Sequence, residues 1–369
     1  MITNNTLGII FANSHDALLG QMTKQRSMGS LPFGGRYRLI DFALSNLSNA
    51  GIDKVGVITK ANYYALMTHL GNGKPWDLDR KNGGLSILPP YVSPDAQVYK
   101  GRPEAIYGIL DYLIESDEEN IVICDSDVVA NIDVKALIKY HKEKSADITV
   151  VCAHGDKPEG QNDMMDYKFD EEGRIIAVNY EEAKDCDYSL DTMVIGRQLL
   201  IDIVCSEINS GRASLSHGVF AKGYNKYRIF GYMHKEYSAV MDSVQSYFSA
   251  NLALLDPKVR AEVFSRENPV YTKTRDDMPA KYGIESSVNN ALIADGCIIE
   301  GTVKNSVLFR GVKGEKGAVV ENCILMEGTE VQKNCKINNL ITDRFVQITE
   351  NKNIDGKDGK YYIEKKAVI

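Results

Sequence analysis

The chain has 369 residues, more than one hydrophobic core usually serves, so two domains are expected. It is 44% hydrophobic and 25% charged with a net charge of −7, which excludes a disordered chain and argues against a general nucleic-acid binder. Seven cysteines, an odd number with no C-x-x-C pair, read as buried thiols rather than a disulfide framework. The opening MITNNTLGIIFAN lacks a basic leader and its apolar run is too short to span a membrane, so a cytoplasmic protein is expected.

Strands and helices alternate through the first two-thirds. Residues 7–12 form a short apolar run bounded by polar residues, which predicts a buried strand. Residues 37–50 carry Leu39, Ile40, Ala43, Leu44 and Leu47 at helical spacing and stop at Gly51. A strand over 54–59 follows, then helices over 63–70 and 105–116. A strand over 120–126 ends in acids, and a helix over 133–144 leads to a strand over 147–153. This alternation predicts a mostly parallel sheet covered on both faces. Residues 167–180, with DEEG at 170–173, read as a hairpin insertion. A last helix over 243–255 closes the domain, taken as 1–255. Residues 256–288 are expected to be a linker, because three prolines fall in 256–279 and no period is visible.

From 289 to 369 the pattern changes. Apolar residues from Ile293 to Val346 recur about every five residues, separated by Gly, Asn, Asp and Glu. No helix has that period. It suits a parallel β-helix, whose short strands turn a corner every few residues; an antiparallel meander of short strands is the alternative.

In an open α/β sheet, ligands sit beyond the carboxyl ends of the strands. The loop after residue 12, the stretch around Gly101 and Asp125-Ser126-Asp127 should converge there. The aspartates can hold magnesium on a phosphate, or serve as solvated turn residues or helix caps. In PFGGRYRLIDFALSN (32–46), Gly34-Gly35 leads into the predicted helix with Arg36 and Arg38 in its first turn. Cations there oppose the helix dipole, so either an anion binds or both side chains point to water.

PFGGRYRLIDFALSN, followed by AGIDKVGVIT (50–59), resembles the ADP-glucose pyrophosphorylase (glucose-1-phosphate adenylyltransferase) family. So do Gly101-Arg102-Pro103-Glu104-Ala105, SLDTMVIG (189–196) and EGTVKNSVLFRGVKGEKGAVVENCIL (300–325). The resemblance covers nearly the whole chain. It implies an α/β, nucleotidyltransferase-type (Rossmann-like) domain, then a left-handed parallel β-helix, in a tetramer. The implied reaction joins ATP and glucose 1-phosphate into ADP-glucose and pyrophosphate for glycogen synthesis, with magnesium on the ATP.

The chain departs from the family where that chemistry is done. The family's glycine-rich loop, roughly G-G-x-G-x-R-L, matches Asn13-Ser14-His15-Asp16-Ala17-Leu18-Leu19 here. Every loop glycine is gone, and Leu18 replaces the arginine that steadies the transferring phosphoryl group. Loss of such an arginine alone costs about 10³–10⁵ in rate. Met28 replaces a lysine, and Glu181 replaces the lysine for the sugar phosphate. Val240 falls near the second metal-holding aspartate, although Asp242 lies two residues on. Asp127 keeps its match as the aspartate of the family's G-D-H and is the candidate metal ligand. Gly101 and Glu104 are expected to be a remnant of the nucleotide site.

The resemblance is therefore to the family's GlgD-type subunits, which regulate a homologous catalytic chain in a heterotetramer. Such a chain needs no cofactor of its own; magnesium and ATP enter only if it retains weak adenylyltransferase activity, the alternative reading. Arg26 and Arg38 match basic positions that bind phosphorylated effectors in the family, or else make ion pairs between subunits. An acyltransferase role for the β-helix is disfavoured, since none of the six histidines lies in the repeats. No nucleic-acid or membrane partner is expected.

Overall fold

The computed structural model describes residues 5–90, 99, 101–161, 164–181, 184–210, 220, 224–357 and 361–369. Its centre is the strand Thr6–Phe11, buried along its whole length. It pairs in parallel with Lys54–Ile58 on one side and Asn120–Asp125 on the other. A strand flanked in this way is covered on both faces, which is why it reads as an unbroken apolar run. Gly8 interrupts the run because a Cβ there would lie 2.7 Å from Leu47 Cδ1. Its absence lets the helix Ile40–Asn49 seat directly on the sheet.

The nine-stranded sheet runs in the order Ile175–Asn179, Asp166–Phe169, Cys186–Gly196, Asn120–Asp125, Thr6–Phe11, Lys54–Ile58 and Gly84–Leu88. Ile148–Gly155 pairs with Cys186–Gly196 and then with Ile229–Met233. Helices Ile40–Asn49 and Val134–Glu143 cover one face. Arg102–Tyr107, Leu110–Ile114 and Arg197–Asn209 cover the other.

Three local expectations change. The helix predicted from 37 begins at Ile40, and Tyr37–Arg38 instead pair antiparallel with Pro32–Phe33. Gly34 (φ 57°) and Gly35 (φ 86°) make the turn of that hairpin, a left-handed conformation that glycine adopts without strain. Arg36 and Arg38 therefore lie outside the helix, and the dipole argument for an anion does not apply to them. The helix predicted over 105–116 is two shorter ones. Arg197–Asn209 is a helix with no sequence forecast, because its Ile and Val residues read equally well as strand.

The linker is more structured than its composition suggests. It contains the helix Pro257–Val263, started by Asp256, whose carboxylate accepts from Lys258 N at 2.8 Å. Beyond it the backbone is tied to the sheet domain: Asn131 Nδ2 donates to Asn268 O (2.8 Å) and Asn49 Nδ2 to Pro269 O (3.0 Å). The repeats also begin earlier than residue 289, at Lys281–Tyr282.

The C-terminal domain is a left-handed parallel β-helix. Each coil stacks its apolar residues on those of the next: Val288, Val303, Val320, Ile337 and Ile354 form one ladder. Not every apolar residue of the periodic pattern faces inward. Ile298 is exposed while its neighbours Cys297 and Ile299 are buried, since successive strand residues point to opposite faces. A shared core joins the two domains, with Leu19, Met28, Leu31, Phe33 and Phe42 packed in one cluster with Val307, Phe309, Ile324 and Ile341. All seven cysteines are free.

Candidate active-site cleft and a basic pocket

The parallel register places Phe11 beside Asp125, so the loop after the first strand lies against the acids that end Asn120–Asp125. That loop is not an open cradle. Residues Asp16–Thr23 form a 3₁₀ segment kinked at Gly20 (φ 52°). Asn13 fastens its start, donating to Asp16 Oδ2 (2.6 Å) and Ala61 O (3.1 Å) and accepting from Lys60 N (3.0 Å). The other Asp16 oxygen accepts from Met28 N (2.6 Å). Leu18 N donates to His15 O, and Gly29 N to Ala12 O. Asn13 and Asp16 thus tie the loop to its neighbours, and side chains stand where the family's glycines would leave backbone bare to a triphosphate.

Burial raises the Asp16 carboxyl to a pKa of about 6, against the pull of its hydrogen bonds from Asn13 and Met28. Leu19 and Met28 are 0% and 1% exposed and belong to the interdomain core. Met28, noted in the sequence as a missing lysine, is therefore a packing residue. Leu18, at the position of the missing arginine, is half-buried.

The acids are held by side chains of the same chain. His15 Nδ1 lies 2.6 Å from Asp127 Oδ2, and Gln161 Nε2 donates to that same oxygen (2.7 Å). Arg102 pairs with Asp125 Oδ2 and with Asp191 Oδ1 (3.3 Å), while Ser14 Oγ donates to Asp125 Oδ1 (3.1 Å). Burial and the neighbouring charges of Asp127 and Asp191 raise Asp125 to about 7, with Arg102 opposing. Asp127 is also buried, but the contacts with His15 outweigh that and hold it below the usual carboxylate range.

A magnesium ion fits this arrangement poorly. It wants near-octahedral oxygen ligands, and it would sit among an arginine, a histidine and a partly protonated carboxyl. Among the described residues, only Asp127 Oδ1 and Gln161 Oε1 in this cluster are buried without a hydrogen-bond partner. His15, Asp125 and Asp191 offer ligand atoms within 4.8 Å of one another, but Arg102 bridges the two carboxylates.

The remaining candidate residues separate. Gly101 starts the helix Arg102–Tyr107, and Glu104 in its first turn lines a cavity of about 460 Å³ with Tyr99 and Tyr107. Glu181 is exposed, and its backbone carbonyl accepts from buried Lys157. Val240 is buried in the sheet core. Asp242 is turned to Gly160 N (3.0 Å) and Ser243 Oγ (3.1 Å).

Arg26 and Arg38 lie together at the domain boundary but in different settings. Arg26 is 3% exposed and pairs with Asp343 of the β-helix, which also accepts from Tyr362 OH (2.5 Å). Its ion pair is therefore within the chain. Arg38 donates to Ser30 O (2.9 Å) and lines a small cavity of about 80 Å³ between the hairpin, the linker and the β-helix. Arg36, Lys273, Arg275, Arg310 and Arg344 line it too, against the single carboxylate of Glu327, which pairs with Arg275. Arg310 Nε and Arg344 Nε are buried without a hydrogen bond. Burial, then repulsion from Arg344, lowers Arg38 to about 10; burial and neighbouring arginines lower Arg310 and Arg344 as well.

Sequence reasoning missed Arg102, Gln161 and Asp191 as parts of the cleft. Arg102 was visible as a cation inside a family motif, next to the expected phosphate site. Gln161 carried no signal, since it is brought in from a distant loop.

Comparison with known proteins agrees with this architecture. Residues 8–177 match the nucleotidyl transferase family, and residues 278–364 match the GlmU-like C-terminal hexapeptide family. The chain is 35% identical over 318 residues to the glycogen biosynthesis protein GlgD of Bacillus subtilis (strain 168), covering 86% of this chain and 83% of that protein. It is 34% identical to GlgD of Geobacillus stearothermophilus, covering 86% and 84%. To the glucose-1-phosphate adenylyltransferase of Thermotoga maritima it is 35% identical over 324 residues, covering 86% and 76%. No helix among the described residues is long and apolar enough to cross a membrane. With both domains matched and this identity spread over most of its length, the chain belongs to the glucose-1-phosphate adenylyltransferase and GlgD family of glycogen biosynthesis.

Proposed function

We propose that this chain is a catalytically silent subunit that regulates a homologous catalytic ADP-glucose pyrophosphorylase chain in a cytoplasmic heterotetramer. The observation that supports this reading is the loop 13–19, which has no glycine and is tied down through Asn13 and Asp16, so that side chains stand where the family keeps bare backbone. An oxyanion or phosphate site works through donors aimed at developing charge, and here the glycines that would let backbone donors approach are replaced by larger residues. With Leu18 and Met28 in place of cations, the chain needs neither magnesium nor ATP for its own work.

The basic pocket supports the regulatory half of the proposal. Six basic side chains converge on a space suited to a phosphoryl group; Arg344 Nε is buried without a hydrogen bond, and Arg310 Nε has only the distant carboxylates of Asp277 (3.6 Å) and Asp295 (3.8 Å). A phosphorylated small molecule seated there would touch both domains through Arg38 and Arg344. It would favour whichever domain arrangement brings them together, as allosteric coupling requires.

The purified chain is incubated with ATP, glucose 1-phosphate and magnesium, then mixed with a homologous catalytic subunit. The expected result is no ADP-glucose from this chain alone, and a raised turnover or shifted effector response in the mixture. Robust ADP-glucose formation by the chain alone would establish the alternative, a weakly active adenylyltransferase. No change on mixing would remove the regulatory claim.

A further inference from the structure

The cleft's charges are arranged in a way that silence alone does not require. A degenerate active site could simply lose its carboxylates. Here three remain, Asp125, Asp127 and Asp191, all less than a tenth exposed. Three buried carboxylates within reach of one another repel strongly unless a cation holds them. In a metal-dependent site the ion does this, and the carboxylates then depend on it for their stability.

From this geometry we infer that Arg102, assisted by His15, is an internal replacement for the metal ion, holding the aspartates of the cleft together with no divalent cation. The guanidinium spans Asp125 Oδ2 and Asp191 Oδ1, two of the three groups whose ligand atoms lie within 4.8 Å of each other. The third, His15, faces Asp127 at 2.6 Å and Asp125 at 3.8 Å. Arg102 also stacks over Phe11, its carbon 5.7 Å from the ring centroid, which fixes the guanidinium at the end of the central strand. A planar cation held on both sides is rigid, permanently charged and unable to exchange with solution, unlike a bound ion. Ser14 Oγ and Gln161 Nε2 supply the hydrogen bonds that water on a metal would otherwise make. The inference rests on the silent reading and adds a physical claim to it: the aspartates of the cleft are held by side chains of the chain and not by a metal ion, even though Asp127 Oδ1 has no hydrogen-bond partner.

The test is manganese binding, followed by electron paramagnetic resonance and by the thermal midpoint with and without Mn²⁺. The wild-type chain should show no saturable Mn²⁺ site, and chelator should leave its midpoint unchanged. Arg102→Ala should lose stability, gain a saturable site at least about tenfold tighter than any wild-type binding, and recover its midpoint as Mn²⁺ is added. Adding Asp191→Asn to that variant should abolish the rescue. Should Arg102→Ala not fold, Arg102→Gln, which keeps length and hydrogen bonding but not charge, is measured in the same way. Saturable Mn²⁺ binding by the wild-type chain, or an Arg102 variant that is as stable as wild type without metal, would overturn the inference. Either result with no ADP-glucose formed would leave the silent reading standing.

Discussion

The cleft and the interdomain pocket both concentrate charge, and they resolve it in opposite ways. In the cleft each carboxylate has a cation or donor from the chain itself: His15 and Gln161 on Asp127, Arg102 and Ser14 on Asp125. In the pocket six basic side chains share a lining with one carboxylate, Glu327; Arg344 Nε is buried without a hydrogen bond, and Arg310 Nε lies 3.6 Å from Asp277 and 3.8 Å from Asp295. Carboxylates already held by side chains of the chain gain little from an added cation, whereas a site of crowded like charge gains the relief of that repulsion when an anion enters.

Arg26 tests the boundary between the two regimes most severely. It lies close to the pocket yet is satisfied, through Asp343. Arg26→Ala should cost about 3–5 kcal/mol in urea unfolding, since it leaves a buried carboxylate whose remaining donors are Tyr362 OH and the Arg344 backbone. A change below about 1 kcal/mol would place Arg26 with the uncompensated arginines instead.

The cleft loop makes a prediction in pH. Asp16 keeps its proton to about pH 6 in the folded chain, against 3.8 for an unburied aspartate. Between those values the native state holds a proton that the unfolded state has released. Stability should therefore fall as pH rises from about 4 to about 6, by at most about 3 kcal/mol, with the full penalty present above that window. Asp16→Asn should flatten this slope in denaturation curves. An unchanged slope would mean that the loop is more open to water than its packing indicates.

The smallest effect is the most specific. Inorganic phosphate at about a hundred times its dissociation constant should add about 2.7 kcal/mol to the folded state. It should be read as a rise of a few degrees in the thermal midpoint of wild type that Arg344→Ala or Arg310→Ala removes. The same titration should be indifferent to His15→Ala in the cleft. A shift that survives the pocket variants and disappears in the cleft variant would reverse the comparison.

Much of this molecule was legible in the chain. The alternation of apolar runs and helical periods forecast the parallel sheet, because both follow from local geometry that each segment carries with it. The short period from Ile293 to Val346 forecast the β-helix for the same reason, although the period alone does not say that Ile298 faces out. The missing glycines of 13–19 were likewise readable, since backbone freedom belongs to the residue itself. Start and stop signals were less secure: the Gly34-Gly35 pair looked like a helix entrance and is a hairpin turn.

What only the tertiary structure decided is the partner of each charge. Arg26 and Asp343 are 317 positions apart in the chain, and no local pattern joins them. Met28 looked like the loss of a lysine until the interdomain core showed what it packs against. Arg102 was only one residue of a family-like stretch until it was found between Asp125 and Asp191. Strand and helix periods arise from bonds near in sequence, but the energy of a buried charge depends on whatever the fold brings within a few ångströms of it. For this protein the sequence alone determined the family, the two domains and the loss of the glycine-rich loop. Packing alone decided which arginines are paired in the core and which line the interdomain pocket.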